Sequence, residues 1–67
     1  MDFKIESEYI ELIKLLKVTG VAESGGHAKS IVESDLVSYN GVIDKRKRLK
    51  VKKGDQIRVN EIEINVV

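Results

Sequence analysis

Two stretches in the first half of the chain carry apolar residues at helical spacing. In the first stretch, positions i, i+3, i+4 and i+7 are apolar and predict a helix with one buried face. That face would hold Tyr9, Leu12, Ile13 and Leu16. Ser7 fits the cap before this helix, and Gly20 fits the stop after it. Lys14 and Lys17 lie together on another face, where we expect them to be solvated.

The second stretch predicts a shorter helix that begins after Ser24. Its narrow apolar stripe consists of Ala28, Ile31 and Val32. Gly25 and Gly26 occupy its first turn, although glycine costs a helix interior about 0.5–1 kcal/mol relative to alanine. This double glycine therefore calls for a reason other than helix formation.

The rest of the chain alternates with a period of two and predicts strands. Phe3 and Ile5 give a weak first strand, and Asn40-Gly41 between β-rich runs predicts a tight hairpin. A further turn is predicted at Gly54-Asp55. The apolar residues of the later strands are Leu49 and Val51, Ile57 and Val59, and Ile62, Ile64 and Val66. This order predicts an α+β fold, with both helices on one side of a small antiparallel sheet of about four to five strands.

Composition narrows the class of protein. A chain of 67 residues is expected to form one small domain over residues 1–67. It has no cysteine and one histidine, which argues against disulfides and a metal site, and no cofactor is predicted. The acidic start and the lack of a long apolar run predict a cytoplasmic protein that does not bind a membrane. Ser24 and His27 are the one conceivable nucleophile and base, but no third residue is placed to orient the imidazole, so we predict no enzyme.

Positive charge is concentrated in KRKRLKVKK, residues 45–53, which we call the basic segment. It holds seven of the twelve Lys and Arg residues and none of the eleven Asp and Glu residues. The other residues therefore sum to five minus eleven, or −6. Such segregation creates a local positive potential that attracts polyanions. The alternatives are a purely solvated segment, a transport address, or an edge strand whose lysines prevent pairing with other chains.

The two apolar residues of the basic segment predict how its charges are displayed. If Leu49 and Val51 face the core, their polar neighbours point to the opposite side of the strand. The same alternation, extended backwards, predicts a row of cations at a spacing of about 6.6 Å. The row would be Arg46, Arg48, Lys50 and Lys52, flanked by Lys45, Lys47 and Lys53.

The order of these motifs resembles a known RNA-binding family. LLKVTGVAESGGHAKSIVESDLVSYNG and the later KKGDQIRV are similar to the S-four-like domain, or alpha-L motif, and especially to its YbcJ-type members. Those members share a Ser-Gly-Gly-x-Ala-Lys start of the second helix, a V-x-x-NG hairpin, and a basic stretch before Gly-Asp. The matching positions are Ser24, Gly25, Gly26, Ala28, Lys29, Val37, Asn40, Gly41, Arg46, Lys47, Arg48, Gly54 and Asp55. The resemblance covers nearly the whole chain.

The resemblance implies two helices on a small antiparallel sheet, with RNA bound across the second helix and the neighbouring hairpin. We expect a monomer that binds structured RNA, ribosomal or transfer RNA, through phosphates and shape. The ribosome or an RNA-processing protein is a further expected partner. The RNA-binding residues expected from the resemblance and the basic row together are Ser24, Gly25, Gly26, Lys29, Lys45, Arg46, Lys47, Arg48, Lys50 and Lys52. Duplex DNA or an acidic protein is the alternative ligand of the same surface.

Several of these residues have simpler explanations. Ser24 is equally expected to act only as a helix cap. Gly25 and Gly26 either permit close packing of the preceding loop or leave the free amides of the helix start open to a phosphate. Lys29 could simply pair with Glu33 one turn later. The tyrosines, Tyr9 and Tyr39, are predicted in the core rather than as platforms for stacked bases.

Overall fold

The computed structural model describes all 67 residues of the chain. Its helices are α1, Leu12–Val18, and α2, Gly25–Glu33. Its strands are β1, Asp2–Phe3; β2, Ile10–Glu11; β3, Val37–Tyr39; β4, Val42–Ile43; β5, Lys50–Val51; β6, Gln56–Val59; and β7, Ile62–Val66. Neither helix has the length and apolarity that a membrane crossing requires.

The strands form two sheets. The larger has five strands in the order β1-β7-β6-β3-β4, and the smaller is a ribbon of β2 and β5. This arrangement confirms the predicted α+β fold of two helices and a small sheet, and refines it in one respect. β1 runs parallel to β7, whereas all other neighbours are antiparallel. Hairpin turns set the antiparallel direction of β3–β4 and β6–β7, but β1 is separated from the meander by both helices, so no tight turn fixes its direction.

The core lies between the two helices and the inner face of the larger sheet. All 14 buried residues are apolar and form one cluster. In β6 the alternation is complete, with Ile57 and Val59 buried and their neighbours exposed. The phase predicted for the basic segment is confirmed, because Val51 is fully buried and Leu49 is 8% exposed. Burial of each of these two side chains stabilises the fold by about 1.5–3 kcal/mol.

Helix α1 begins later than the sequence predicts. Ser7 does not cap it, because the Ser7 hydroxyl donates to the Tyr9 carbonyl oxygen at 2.7 Å and the next two residues form β2. The first two free amides of the helix donate instead to backbone carbonyl oxygens of the basic segment. These bonds join Leu12 N to Leu49 O at 2.9 Å and Ile13 N to Lys47 O at 3.3 Å. The basic segment therefore caps α1 with its backbone.

The late start of α1 also keeps Tyr9 out of the core. Its side chain is 40% exposed, so the prediction that it is buried is wrong. Leu15, which the pattern did not select, is fully buried in the same helix. Lys14 and Lys17 are exposed as predicted. Gly20 follows the helix with a φ of +80°, the left-handed conformation that a glycine stop provides.

The predictions made for the cap of α2, its apolar stripe and the Asn40-Gly41 hairpin are confirmed. The Ser24 hydroxyl accepts a hydrogen bond from the His27 amide at 3.1 Å, and the apolar stripe of the helix is buried. Asn40 and Gly41 have φ values of +50° and +91°, which suits a two-residue turn with positive φ at both positions. Tyr39 is partly buried and packs against the core, as predicted.

The carboxylate of Asp55 ties the hairpin to the end of the basic segment. It accepts hydrogen bonds from Tyr39 Oη at 3.0 Å, Asn40 Nδ2 at 3.2 Å and Lys52 N at 2.8 Å. Burial alone would raise the pKa of Asp55, but these hydrogen bonds outweigh it and lower the pKa. The same contact raises the pKa of the Tyr39 phenol, because its proton is held by a carboxylate.

Replacing Asp55 by Asn should lower the free energy of unfolding by about 1–3 kcal/mol, because an amide cannot accept all three hydrogen bonds. Because the pKa of Asp55 is lowered in the folded chain, its contribution is complete above the unfolded pKa of about 3.9 and is lost as the pH falls through the folded pKa. Urea unfolding between about pH 6 and about pH 2 should therefore show a shallower loss of stability in Asp55→Asn than in the wild-type chain.

Glu61→Gln is the matched control, because Glu61 is exposed and its side chain takes part in no ion pair. It should unfold like the wild-type chain at neutral pH. Equal neutral-pH stability of Asp55→Asn and Glu61→Gln would contradict the role of the Asp55 hydrogen bonds.

Candidate nucleic-acid interface

The basic segment is mostly loop and turn. Only Lys50–Val51 forms a strand, and the Leu49 amide donates to Arg46 O at 3.2 Å in a turn. The predicted regular row of four cations is therefore wrong over its first half. Lys50 and Lys52, on either side of buried Val51, are exposed as predicted. The physical reason is that the chain bends here to cap α1, which a straight strand could not do.

Asp44 fixes the start of this bend. Its carboxylate accepts from the Arg46 amide at 2.8 Å and binds the Arg46 guanidinium through Nε at 3.0 Å and Nη2 at 2.7 Å. The guanidinium lowers the pKa of Asp44 by hydrogen bonding, and the carboxylate raises the pKa of Arg46 in turn. Because the Asp44 side chain is only 13% exposed, this contact braces the loop as well as neutralising a charge.

Each of the first four cations of the basic segment has a carboxylate partner that comes from outside the segment. The pairs are Lys45–Asp35 at 3.2 Å, Arg46–Asp44 at 2.7 Å, Lys47–Glu33 at 2.9 Å and Arg48–Glu11 at 3.1 Å. The four cationic side chains are 42% to 83% exposed, so the three pairs other than Arg46–Asp44 contribute little stability and are open to exchange. The local positive potential is therefore smaller than the sequence run suggests.

Glu33 has a different partner from the one its spacing suggests. It pairs with Lys47, and the hydrogen bond from Lys47 lowers the pKa of Glu33. Lys29, one turn earlier in α2, takes part in none of the five ion pairs of the chain. Glu33 is thus paired with Lys47 rather than with Lys29, although the charge of Lys29 still lowers the pKa of Glu33 to a smaller extent.

A groove of about 600 Å³ lies between α1, the start of α2 and the basic segment, and we call it the basic groove. Its lining includes one carboxylate, Glu11, and one helix-start glycine, Gly25. Its cationic lining residues are Lys14, Lys17, Lys29, Lys47 and Arg48. Five cations and one carboxylate leave a formal charge of five minus one, or +4, at this groove. Such a surface attracts a polyanion.

Lys14 and Lys17 are the members that sequence reasoning missed. It predicts them only as solvating residues of α1, and they are exposed as that prediction requires. The packing of α1 beside α2 nevertheless brings them to the basic groove, and neither has an ion-pair partner. Their only signal in the sequence is that two lysines three residues apart share one helix face without an intervening acid.

A second groove, of about 670 Å³, is formed mainly by the basic segment. It is lined by Tyr39, Arg46, Lys47, Arg48, Leu49, Lys50 and Lys52. Lys47 and Arg48 line both grooves, so the two grooves adjoin at the basic segment. The structure thus divides the predicted site residues between two adjoining grooves, while Ser24, Gly26 and Lys45 line neither.

The double glycine at the start of α2 is not required by packing. A Cβ at Gly25 would meet no atom within 4 Å, and a Cβ at Gly26 would meet only Ser24 Oγ, at 3.9 Å. The His27 side chain is held nearby, because Nδ1 accepts from the Glu23 amide at 3.0 Å. The His27 amide in turn donates to the Ser24 hydroxyl, so the side chains of Ser24 and His27 both accept hydrogen bonds at the start of α2. The room around both positions argues against close packing as the reason for the glycines.

The fold and the basic groove together define a small α+β protein whose cationic surface is suited to a polyanion. The family model of the S4 domain matches residues 3–67. The chain therefore belongs to the S4 domain family, which confirms the resemblance that its motifs carry.

Relatives and a solved structure agree with this assignment. The Escherichia coli protein named "Putative RNA-binding protein YbcJ" is 34% identical over 59 residues, which cover 88% of this chain and 84% of that protein. The Shigella flexneri protein YbcJ matches with the same identity and coverage. The solution structure of Escherichia coli YbcJ, described as revealing an alfaL motif involved in RNA binding, matches with a TM-score of 0.76 and 31% identity. That match covers 98% of this chain and 85% of the solved one.

The double variant Gly25→Ala/Gly26→Ala should be at least as stable as the wild-type chain. Each added Cβ has room, and alanine favours a helix over glycine by up to about 1 kcal/mol. Urea unfolding measures the change. Ala28→Gly is the matched control at a fully buried position of the same helix and should be destabilised. A loss of stability in the double variant as large as that in Ala28→Gly would show that the glycines serve packing after all.

Proposed function

We propose that the protein binds structured RNA through the basic groove and the adjoining basic segment. The observation that carries this proposal is the convergence of cations from three elements, α1, α2 and the basic segment, on one groove beside the start of α2. Membership of the S4 domain family and the name of the Escherichia coli relative support RNA as the polyanion.

The phosphate backbone is the part of the RNA that this surface fits. Lys14, Lys17 and Lys29 offer three ammonium groups without carboxylate partners. The open amides at the start of α2 add hydrogen-bond donors and the positive end of the helix dipole. Gly25 lines the groove and carries no side chain that would keep a phosphate away from these amides. Recognition through phosphates and shape suits a helical RNA, whose base edges are poorly accessible.

The residues of the basic segment contribute by exchanging partners. A phosphate replaces Glu33 beside Lys47 and Glu11 beside Arg48, which costs little because these pairs are exposed. Arg46 keeps its bidentate contact with Asp44 and mainly stabilises the loop at the start of the basic segment. The proposed RNA-binding residues are those expected from the sequence, Ser24, Gly25, Gly26, Lys29, Lys45, Arg46, Lys47, Arg48, Lys50 and Lys52, with Lys14 and Lys17 added.

We assign residues 1–67 to one RNA-binding domain that works as a cytoplasmic monomer and catalyses no reaction. Ribosomal or transfer RNA is the structured ligand that we propose, with the ribosome or an RNA-processing protein as the further partner. Duplex DNA of the same length is the comparison ligand that tests the preference for RNA.

Removal of the unpaired cations should reduce the salt dependence of RNA binding. A contact with about four phosphates gives a slope of log affinity against log salt of about −3 to −4. The triple variant Lys14→Gln/Lys17→Gln/Lys29→Gln should bind an RNA hairpin more weakly, with a slope smaller in magnitude by about 2 to 3. Fluorescence anisotropy of a labelled hairpin, titrated at several salt concentrations, measures both quantities.

The matched control is Lys4→Glu/Arg58→Gln, which lowers the net charge by the same three units. These two residues are exposed, lie outside the basic segment and line none of the grooves. The control should keep most of the wild-type slope. Equal losses in the control and in the triple variant would show that net charge alone, rather than the basic groove, drives binding, and would contradict the proposal.

Glu11→Gln should strengthen RNA binding. Glu11 is the one carboxylate that lines the basic groove, and its removal leaves Arg48 without a competing partner. An exposed pair of this kind is worth up to about 1 kcal/mol, so the affinity should rise about twofold to fivefold. Glu63→Gln changes the net charge equally but frees Arg58 on the outer face of the larger sheet. The same titration should show no comparable gain for Glu63→Gln. If Glu11→Gln binds RNA more weakly than the wild-type chain, the claim that a phosphate replaces Glu11 beside Arg48 is wrong.

A further inference from the structure

Tyr9 is the one aromatic side chain that the fold leaves on the surface. The chain has three aromatic residues, of which Phe3 and Tyr39 pack against the core. Tyr9 precedes β2 and is 40% exposed. Because the buried cluster is complete without this ring, its exposure does not serve the core.

Lys50 lies over the ring of Tyr9. Its ammonium nitrogen is 4.9 Å from the ring centroid, which is a cation–π contact. The ribbon of β2 and β5 holds the two residues together, since Ile10 pairs with Val51 and Glu11 with Lys50. Lys50 takes part in none of the five ion pairs of the chain, and its ammonium group contacts the Tyr9 ring instead.

Tyr9 also lines a groove that continues the basic groove. This third groove, of about 420 Å³, shares Glu11 and Lys14 with the basic groove. Glu8 and Glu11 give it two carboxylates against the single cation Lys14. A phosphate is therefore disfavoured here, whereas an uncharged nucleobase is not. Because Lys14 lines both grooves, the basic groove has a continuous path to the Tyr9 ring.

We propose that Tyr9 and Lys50 form a site for one unpaired nucleotide, in which the base stacks on the Tyr9 ring and the adjacent phosphate pairs with Lys50. The base takes the place of the ammonium group on the ring, because stacking of a base on an aromatic side chain is stronger than an exposed cation–π contact. The displaced ammonium group then neutralises the phosphate. This inference rests on the proposed function and adds to it a preference for RNA with unpaired nucleotides beside a helix.

Tyrosine fluorescence tests the stacking directly. The chain contains no tryptophan and two tyrosines, so Tyr39→Phe leaves Tyr9 as the only emitting residue. The probes are an RNA hairpin with an unpaired loop and a fully paired RNA duplex with the same number of phosphates. Binding of the hairpin should quench Tyr9 emission strongly, and binding of the duplex should not. If Tyr39→Phe does not fold, fluorine NMR of the wild-type chain labelled with fluorotyrosine resolves the two residues instead.

Binding affinities provide the second readout. Tyr9→Leu should weaken hairpin binding about tenfold and leave duplex binding and the salt slope unchanged. Tyr9→Phe keeps the ring and should retain the wild-type preference for the hairpin. Binding of both RNAs with unchanged Tyr9 emission, or equal losses for hairpin and duplex in Tyr9→Leu, would overturn the stacking site and leave the proposed function intact. Binding of neither RNA would overturn the proposed function itself.

Discussion

The arrangement of this protein depends on how the basic segment is attached. Two apolar side chains, Leu49 and Val51, enter the core, and two carbonyl oxygens of the segment cap the first amides of α1. The Lys52 amide closes the far end by donating to Asp55. These contacts use backbone groups, apolar side chains and the Asp55 carboxylate. Of the cationic side chains, only Arg46 helps to hold the segment, through its contact with Asp44. A run of seven like charges can therefore be fixed in place while its charged groups stay at the surface.

This attachment also creates the basic groove. Because the segment caps α1, its cations lie beside Lys14 and Lys17 of that helix, and α2 packs on α1 with Lys29 and the side-chain-free Gly25 facing the same groove. The carboxylates that pair with four of the segment's cations reduce the repulsion among them. In the proposed complex a phosphate replaces the exposed carboxylates of Glu33 and Glu11 at small cost.

Features set by neighbouring residues could be predicted from the sequence. The Ser24 cap, the positive φ values at Asn40-Gly41 and the burial of Leu49 and Val51 all follow from local chemistry or from a period of two. The start of α1 could not be predicted, because its cap comes from residues more than thirty positions later, and Ser7 offered a plausible local signal. The exposure of Tyr9 follows from that same error.

The candidate site also combines features that neighbouring residues determine with features that only the packing of distant elements determines. The basic segment is visible in the sequence, but its ion pairs, its bend at Asp44 and the recruitment of Lys14 and Lys17 depend on how distant elements pack. The Asp55 contacts were equally hidden, because a Gly-Asp turn gives no indication that its carboxylate reaches Tyr39 and Asn40. Charge density along a sequence thus marks where a polyanion is attracted, whereas the fold decides which cations remain free to meet it.

The most direct test of this account is a map of backbone amide chemical shifts during titration with a structured RNA hairpin. We predict changes confined to residues 8–11, α1, the start of α2 and residues 45–52, with the outer sheet face at Arg58 and Glu63 unaffected. Chemical-shift changes centred on that outer face, with none at the basic groove, would contradict the claim that the attachment of the basic segment forms the RNA-binding surface.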